Sequence, residues 1–231
     1  MSQFSAQQSI GEIVAMMPKA GDVFRKYRID FCCGGHRPLA EAIREQGLDE
    51  QEVLKALDDM YEETKKTTSR TDFLNISSSD LIDYVVNKHH AYLKTNLPIV
   101  SELTTTILRV HGPHHMELFD VHKQFHALKT ELEQHLIKEE ELLFPLIKQH
   151  DAEPSDELIE KINKVMKETE DEHVSAGDIL KELRRITKEY EVPAGVCPTF
   201  EKAYHMLQEV EADLFRHIHL ENNILFRRYA R

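Results

Sequence analysis

Residues 135–144 read His-Leu-Ile-Lys-Glu-Glu-Glu-Leu-Leu-Phe, and residues 217–226 read His-Ile-His-Leu-Glu-Asn-Asn-Ile-Leu-Phe. Both stretches fit the pattern His-x-x-x-Glu-x-x-[Leu/Ile]-Leu-Phe. Residues four apart lie on the same face of a helix, so each copy points an imidazole and a carboxylate in one direction. The apolar pair that ends each copy indicates that this direction is toward a core. The repeat therefore predicts two buried pairs and a metal site with two symmetric halves.

The first pair is His135 with Glu139, and the second is His217 with Glu221. A duplicated site needs further ligands, and lone histidines stand at matching offsets upstream. His173 precedes the second copy by 44 residues and shares a helix face with apolar side chains.

The corresponding position before the first copy falls on the dipeptide His89-His90. His90 precedes His135 by 45 residues and shares a face with Val86, Leu93 and Leu97, whereas His89 shares a different apolar face. Spacing alone separates the two histidines only weakly, and we favour His90.

An acidic residue also lies four positions before each repeated histidine. These residues are Glu131 and Asp213. A carboxylate at that offset can accept the second ring N–H of a ligating imidazole and so orient the ring. Two solvent-exposed acids are an equally good interpretation of this part of the pattern.

Four imidazoles and two carboxylates suit two metal ions bridged by Glu139 and Glu221. Structural zinc sites are closed tetrahedra that often include thiolates, and calcium or magnesium requires more oxygen ligands. Mixed imidazole and carboxylate ligands favour iron or manganese over copper and zinc. Ferritin-type bundles use the spacing Glu-x-x-His, which differs in order and length from the pattern here.

Helix signals dominate the chain, and no stretch shows the sustained alternation of a strand. Capping boxes at residues 9–12 and 49–52, with Pro38 and Gly47, predict a small domain of short helices over residues 1–63. Polar residues 64–77 are predicted to form a linker. Residues 78–231 contain four long amphipathic segments, at 79–109, 116–150, 156–190 and 199–229. The predicted fold is therefore all-α, an up-down four-helix bundle preceded by a small helical domain.

The composition excludes several classes of protein. The net charge of the 231 residues is −12, which disfavours a general binder of nucleic acid or anionic membranes. No apolar run approaches the roughly 20 residues that span a membrane, and no secretory signal is evident. Three cysteines that include an adjacent pair make a poor disulfide framework. We therefore expect a soluble protein of the cytoplasm with reduced thiols.

The adjacent cysteines, Cys32 and Cys33, precede two glycines, Arg37 and the start of a predicted helix at Pro38. A helix N-terminus and an arginine lower a thiol pKa, and we expect glycine-rich surroundings to leave the pair exposed. We predict an iron-handling or redox role for these two thiols. We expect Cys197 to be structural.

A separate group of histidines lies in the loop after the first long segment. We expect His111, His114 and His115 to belong to an exposed loop rather than to a second site.

The Cys-Cys-Gly-Gly element at residues 32–35 and the two His-x-x-x-Glu copies together resemble the iron–sulfur cluster repair di-iron proteins, also called the Repair of Iron Centres family. The resemblance covers nearly the whole chain and implies a hemerythrin-like bundle. It implies two non-haem iron ions, oxo- and carboxylate-bridged, with these ligands: His90, His135, Glu139, His173, His217 and Glu221. One departure is Arg227, which stands where the first copy has Pro145 and lies beyond the ligands.

The resemblance also implies a function, the repair of iron–sulfur clusters damaged by oxidative or nitrosative stress. We expect the bundle to supply iron and the thiol domain to mediate its transfer, with damaged iron–sulfur proteins as partners. One alternative is an enzyme that reduces nitric oxide at the di-iron centre, with Glu131 or Asp213 relaying protons. Another is a hemerythrin-like carrier or sensor of dioxygen or nitric oxide. A homodimer is compatible with each of these expectations.

Overall fold

A computed structural model of the chain describes residues 3–65 and 72–230. These residues form helices and no β-strand, apart from an isolated bridge between Ser9 and Pro38, so the all-α prediction is confirmed. The centre of the predicted linker, residues 66–71, lies outside the described residues. The chain divides into two compact units. One contains residues 1–81 and 215–231, and the other contains residues 82–214.

Short helices make up the N-terminal part of the first unit. Their bounds are α1 (Ile10–Met16), α2 (Ala20–Lys26), α3 (Leu39–Glu45) and α4 (Glu50–Lys65). The capping box predicted at residues 9–12 is present. The Ser9 hydroxyl accepts the backbone N–H of Glu12, and the Glu12 carboxylate accepts the backbone N–H of Ser9. Gly47, at a φ of 63°, follows α3, and the Asp49 carboxylate caps α4.

The C-terminal end of the chain completes the first unit. It contains a π-helical segment, Glu221–Leu225, and a 3₁₀ turn, Phe226–Arg228. Helix α1 packs against the π-helical segment, and α2 and α3 pack against α4. The Arg228 guanidinium donates to the backbone carbonyl of Ile76, and the Tyr229 hydroxyl donates to the Ser78 hydroxyl. These bonds tie the end of the chain to residues 73–78.

The second unit contains most of the predicted bundle. The helical elements along the chain from residue 78 are α5 (Ser78–Tyr84), a π-helical segment (Val85–His90), α6 (Ala91–His111), α7 (Glu117–Lys138), a second π-helical segment (Glu139–Leu143), α8 (Phe144–Ala152), α9 (Asp156–Ile186) and α10 (Pro198–Leu220). Helix α7 packs against both α6 and α9, and α8 packs against α9. Helix α6 continues through Pro98 without interruption.

Residues 198–214 of α10 belong to this unit, and polar and aromatic contacts hold them in it. The Arg184 guanidinium on α9 donates to the buried carboxylate of Glu211 at 2.6 Å. The ring of Phe200 packs against the rings of His111 and His115. The four long helical segments thus occupy the stretches that the apolar periodicity predicts.

Each π-helical segment among the described residues begins or ends at a predicted metal ligand. The first ends at His90, the second begins at Glu139, and the third begins at Glu221. Such segments are rare, and they occur frequently at functional sites because one extra residue in a turn rotates the side chains that follow. The sequence pattern does not reveal them.

Within residues 3–65 and 72–230, no helix combines the length and the apolar character needed to cross a membrane.

Candidate metal centre

A cluster of three histidines around one glutamate lies inside the second unit. Its members are His90, His135, Glu139 and His173, and each exposes at most 4% of its surface. The Nε2 atoms of His90 and His135 lie 3.3 and 3.2 Å from Oε2 of Glu139. Nε2 of His173 lies 4.0 Å from the other carboxylate oxygen. Three elements distant in sequence therefore direct ring nitrogens at one buried carboxylate.

The separations within this cluster match those of ligands on one ion. Nε2 of His135 lies 3.2 Å from Nε2 of His173. Two nitrogen ligands, each about 2.1 Å from one ion, lie roughly 3.0–3.4 Å apart, depending on the coordination geometry. Imidazole and carboxylate donors of this kind suit iron, manganese or zinc rather than calcium or magnesium. The residues present therefore fit a transition-metal ion.

The opposite nitrogen of two of these rings contacts a second carboxylate. Nδ1 of His90 lies 2.7 Å from Glu140, and Nδ1 of His135 lies 2.9 Å from Glu172. An ionised carboxylate only accepts hydrogen bonds, so each Nδ1 carries the proton and donates it. In the neutral ring the lone pair is then on Nε2, which faces Glu139. This tautomer is the one that a metal requires.

A lysine also forms a hydrogen bond with each of these outer carboxylates. Lys94 donates to both oxygens of Glu140 at 2.7 Å, and Lys138 donates to Glu172. Burial raises the pKa of the Glu140 carboxyl, but the hydrogen bonds from Lys94 and the histidine outweigh burial and lower the pKa overall. The hydrogen bond from its histidine, helped by Lys138, holds the pKa of Glu172 below its usual range.

The two acids expected to orient histidines have other contacts. Glu131 accepts a hydrogen bond from the Ser175 hydroxyl at 3.0 Å. Glu172 on the neighbouring helix α9 takes the contact with His135, which corrects the expectation for Glu131. Glu131 shares a helix face with His135, but the His135 ring points inward, and its Nδ1 therefore faces the adjacent helix α9.

Asp213, expected beside His217, lies 2.9 Å from Nδ1 of His89. This contact separates the two histidines that spacing distinguished only weakly. His89 is bonded to an aspartate, and His90 is part of the cluster around Glu139.

The second predicted pair forms in the first unit. Nε2 of His217 lies 3.0 Å from Oε1 of Glu221, and both side chains are fully buried. Glu221 is the first residue of its π-helical segment, as Glu139 is of the corresponding segment. The two copies of the repeat thus share burial, pairing and local backbone.

The Cys-Cys-Gly-Gly element is bonded to the residues that follow Glu221. The amide of Asn223 donates to the backbone carbonyls of Cys32 and Phe31, at 2.9 and 3.3 Å. A Cβ atom at Gly35 would lie 2.5 Å from Oδ1 of Asn223 and 2.6 Å from the Phe31 carbonyl oxygen. Only glycine permits this close approach. Asn223 belongs to the second copy of the repeat, but the sequence does not indicate this role, because its partners are about 190 residues away.

Cys32 is buried, whereas the sequence led us to expect that both adjacent thiols are exposed. Cys32 is 2% exposed, and its Sγ lies 3.3 Å from Oδ1 of Asp30 and 3.6 Å from Sγ of Cys33. The hydrogen bond with Cys33, burial and the nearby Asp30 charge raise the pKa of the Cys32 thiol well above its usual value. The predicted lowering by Arg37 is wrong for Cys32, because Arg37 pairs with Glu45 at 2.7 Å and a carboxylate faces the thiol instead.

The third cysteine has a histidine partner that the sequence did not reveal. Sγ of Cys197 lies 3.1 Å from Nε2 of His111. Hydrogen bonds from backbone groups at the start of α10, foremost that of Phe200, lower the pKa of the Cys197 thiol. Nδ1 of His115, from the same group of histidines, lies 2.9 Å from Oε1 of Glu117.

Comparison with known proteins identifies related sequences across nearly the whole chain. The family model described as "Hemerythrin HHE cation binding domain" matches residues 81–229. A model described as "Domain of Unknown function (DUF542)" matches residues 6–61.

Three relatives are named as iron–sulfur cluster repair proteins. The chain is 34% identical to the probable iron-sulfur cluster repair protein of Haemophilus influenzae, over 96% of each chain. It is 32% identical to the iron-sulfur cluster repair protein YtfE of Salmonella typhimurium, also over 96% of each chain. It is 29% identical to the iron-sulfur cluster repair protein ScdA of Staphylococcus haemolyticus, over 96% of this chain and 97% of that protein.

Proposed function

Because the chain belongs to the hemerythrin-like family of iron–sulfur cluster repair proteins, we propose that it repairs iron–sulfur clusters damaged by oxidative or nitrosative stress. The observation that carries this proposal is the buried cluster in which three imidazoles direct their Nε2 atoms at Glu139. That cluster lies in the domain whose family description is cation binding. The names of the relatives favour repair over nitric oxide reduction or dioxygen transport.

We further propose that the bound cations are two iron ions. By the sequence repeat and its upstream histidines, six residues would hold the two ions: His90, His135, Glu139, His173, His217 and Glu221. The matching burial and backbone of the two copies support this assignment. Bound iron would supply both redox chemistry with small ligands such as nitric oxide or dioxygen and an exchangeable cargo.

The charges of the ligands suit a store that releases its iron. Two ferrous ions carry four positive charges, and the carboxylates of Glu139 and Glu221 would neutralise only two of them. The outer carboxylates of Glu140 and Glu172 are already paired with Lys94 and Lys138. A buried site that keeps uncompensated positive charge holds its cations less tightly than a carboxylate-rich site would. This balance supports the donation of iron.

The remaining parts of the proposal concern transfer. Cys32 and Cys33 would handle the iron on its way to a damaged iron–sulfur protein, in the reducing cytoplasm. The bonds from Asn223 to the Cys32 segment support this role, since they connect the thiol segment to the chain just beyond Glu221.

The test compares iron-loaded variants as repair agents. An enzyme whose cluster has been damaged by nitric oxide is incubated anaerobically with wild-type chain, His135→Ala or His205→Ala, and its recovered activity is followed. His205 is an exposed histidine on α10 and serves as the matched control. Wild type and His205→Ala are expected to restore activity, and His135→Ala is expected to lose both iron and repair. Equal repair by His135→Ala would refute the proposed role of the cluster.

A further inference from the structure

One more group of potential ligands lies in the loop between α2 and α3. It consists of Asp30, Cys32 and Cys33, which offer a carboxylate oxygen and two sulfur atoms, all within 4.8 Å of one another. The two sulfur atoms are 3.6 Å apart, and Oδ1 of Asp30 is 3.3 Å from Sγ of Cys32. The predictions from sequence included the two cysteines but not the aspartate.

We propose that Asp30, Cys32 and Cys33 form a separate cation site that binds one thiophilic divalent cation, with Fe²⁺ as its cargo. The role of this site as the point of iron transfer rests on the proposed function. Its ability to bind a cation does not rest on it.

The distances are those of ligands around a small tetrahedral ion. With metal–sulfur bonds of about 2.3 Å and metal–oxygen bonds of about 2.0 Å, tetrahedral ligands lie roughly 3.8 Å apart for two sulfurs and roughly 3.5 Å apart for sulfur and oxygen. The two sulfur atoms are 3.6 Å apart, about 0.2 Å closer than in such a site, and a carboxylate oxygen of Asp30 lies within 4.8 Å of both. Little movement of the loop is therefore needed to admit an ion.

Backbone amides hold the carboxylate in position. Oδ1 of Asp30 accepts the N–H groups of Cys32, Cys33 and Gly34 at 3.2, 3.0 and 3.2 Å. Oδ1 is taken up by these three N–H groups, so the cation would be bound by the other oxygen of the same carboxylate. The carboxylate is thus placed next to the sulfur atoms before any cation arrives.

The exposure of the two thiols suits transfer rather than permanent storage. Cys32 is buried, whereas Cys33 is partly exposed to solvent. Structural sites are closed by four protein ligands, whereas three ligands leave a position open for an incoming group. Thiolates are also the ligands that hold iron–sulfur clusters, so a partner that lacks iron presents the same kind of donor.

Binding at this site exchanges protons for the cation. The divalent ion displaces one proton from each thiol and forms two metal–sulfur bonds and one metal–oxygen bond, and two protons go to solvent. The complex of two thiolates, one carboxylate and the ion carries a single negative charge. No electron transfer is involved.

Cobalt(II) tests the site, because thiolate-bound cobalt has a charge-transfer absorption that histidine and carboxylate ligands do not produce. Full-length chain loaded with no more than two iron ions per molecule is titrated with cobalt(II) anaerobically, in the presence of a phosphine reductant, and retained iron is measured in the same samples. We expect one added cobalt per chain and a thiolate band in wild type. Cys33→Ser should lose most of the band, and Cys197→Ser should keep all of it.

Asp30→Asn tests the carboxylate specifically, since the amide oxygen can still accept the backbone N–H groups while the charge is lost. We expect it to bind cobalt roughly tenfold more weakly or worse, with circular dichroism like that of wild type. His135→Ala should keep the band, so failure of the proposed iron centre is distinguishable from failure of this site. Wild type without a thiolate band would overturn the proposal. If Asp30→Asn loses its helical signal, an unchanged band in Cys33→Ser overturns it independently.

Discussion

Replacing Glu172 by Gln is expected to weaken iron binding without disturbing helix α9. Glu172 lies 2.9 Å from Nδ1 of His135 and fixes the ring so that Nε2 faces Glu139. Gln has nearly the same size and a good helix propensity, so the substitution removes charge rather than volume. The expected effect is therefore on metal affinity and not on the fold.

The expected loss of iron affinity can be worked out from the role of the Glu172 carboxylate, which orients the ring of His135. Loss of a carboxylate that orients a metal-bound histidine costs about 10–100-fold in affinity, or about 1.4–2.8 kcal/mol. We expect the lower end of this range for Glu172→Gln. The amide oxygen can still accept the Nδ1 proton, and the side chain of Glu172 is 38% exposed, so water can replace part of its contact.

The assay is an anaerobic competition between the chain and a ferrous-iron chelator of known affinity. Glu131→Gln is the matched control, since Glu131 is near His135 in sequence but bonds Ser175 in the structure. We expect Glu131→Gln to bind iron as wild type does and Glu172→Gln to bind about tenfold more weakly. Weaker binding by Glu131→Gln together with unchanged binding by Glu172→Gln would refute the assignment of Glu172.

Gly35→Ala should lower the free energy of unfolding by about 1–3 kcal/mol, because the new methyl group would lie 2.6 Å from the Phe31 carbonyl oxygen. Urea unfolding measures this loss, and an unchanged midpoint would contradict the prediction. At pH 7, Cys197 should react with iodoacetamide faster than Cys32. Backbone hydrogen bonds lower the pKa of Cys197, whereas a hydrogen bond to the neighbouring thiol and burial raise the pKa of Cys32. Peptide mass spectrometry measures both rates, and equal rates would contradict this prediction. Burial lowers the pKa of His219 to about 4, from about 6.5 when unfolded. The metal-free chain should therefore lose stability as pH falls from about 6.5 toward 4, and His219→Gln should lose less in pH-dependent melts.

Much of the candidate site is visible in the sequence because its key relations are local. His135 and Glu139 are four residues apart, as are His217 and Glu221, and helical geometry alone brings such residues together. The apolar residues that follow each pair indicate burial. The Ser9 capping box is equally local, and it starts α1 where the pattern predicts.

The adjacent histidines show where local pattern stops being sufficient. Both His89 and His90 lie on apolar faces and both are buried, so hydrophobic periodicity does not distinguish them. A π-helical segment that ends at His90 also changes the rotation of the helix at this point. Which ring meets Glu139 depends on how the helices pack and turn against each other.

The sequence by itself determined an all-α chain, the repeated imidazole and carboxylate pairs, and the relationship to a repair family, because these depend on spacing within single helices and on shared motifs. Only the tertiary structure decided which carboxylate orients His135, and that Asn223 holds the segment around Cys32. Those contacts join residues 37 and 191 positions apart. Their physical basis is the rotation, register and close approach of packed elements, which no pattern along one element encodes.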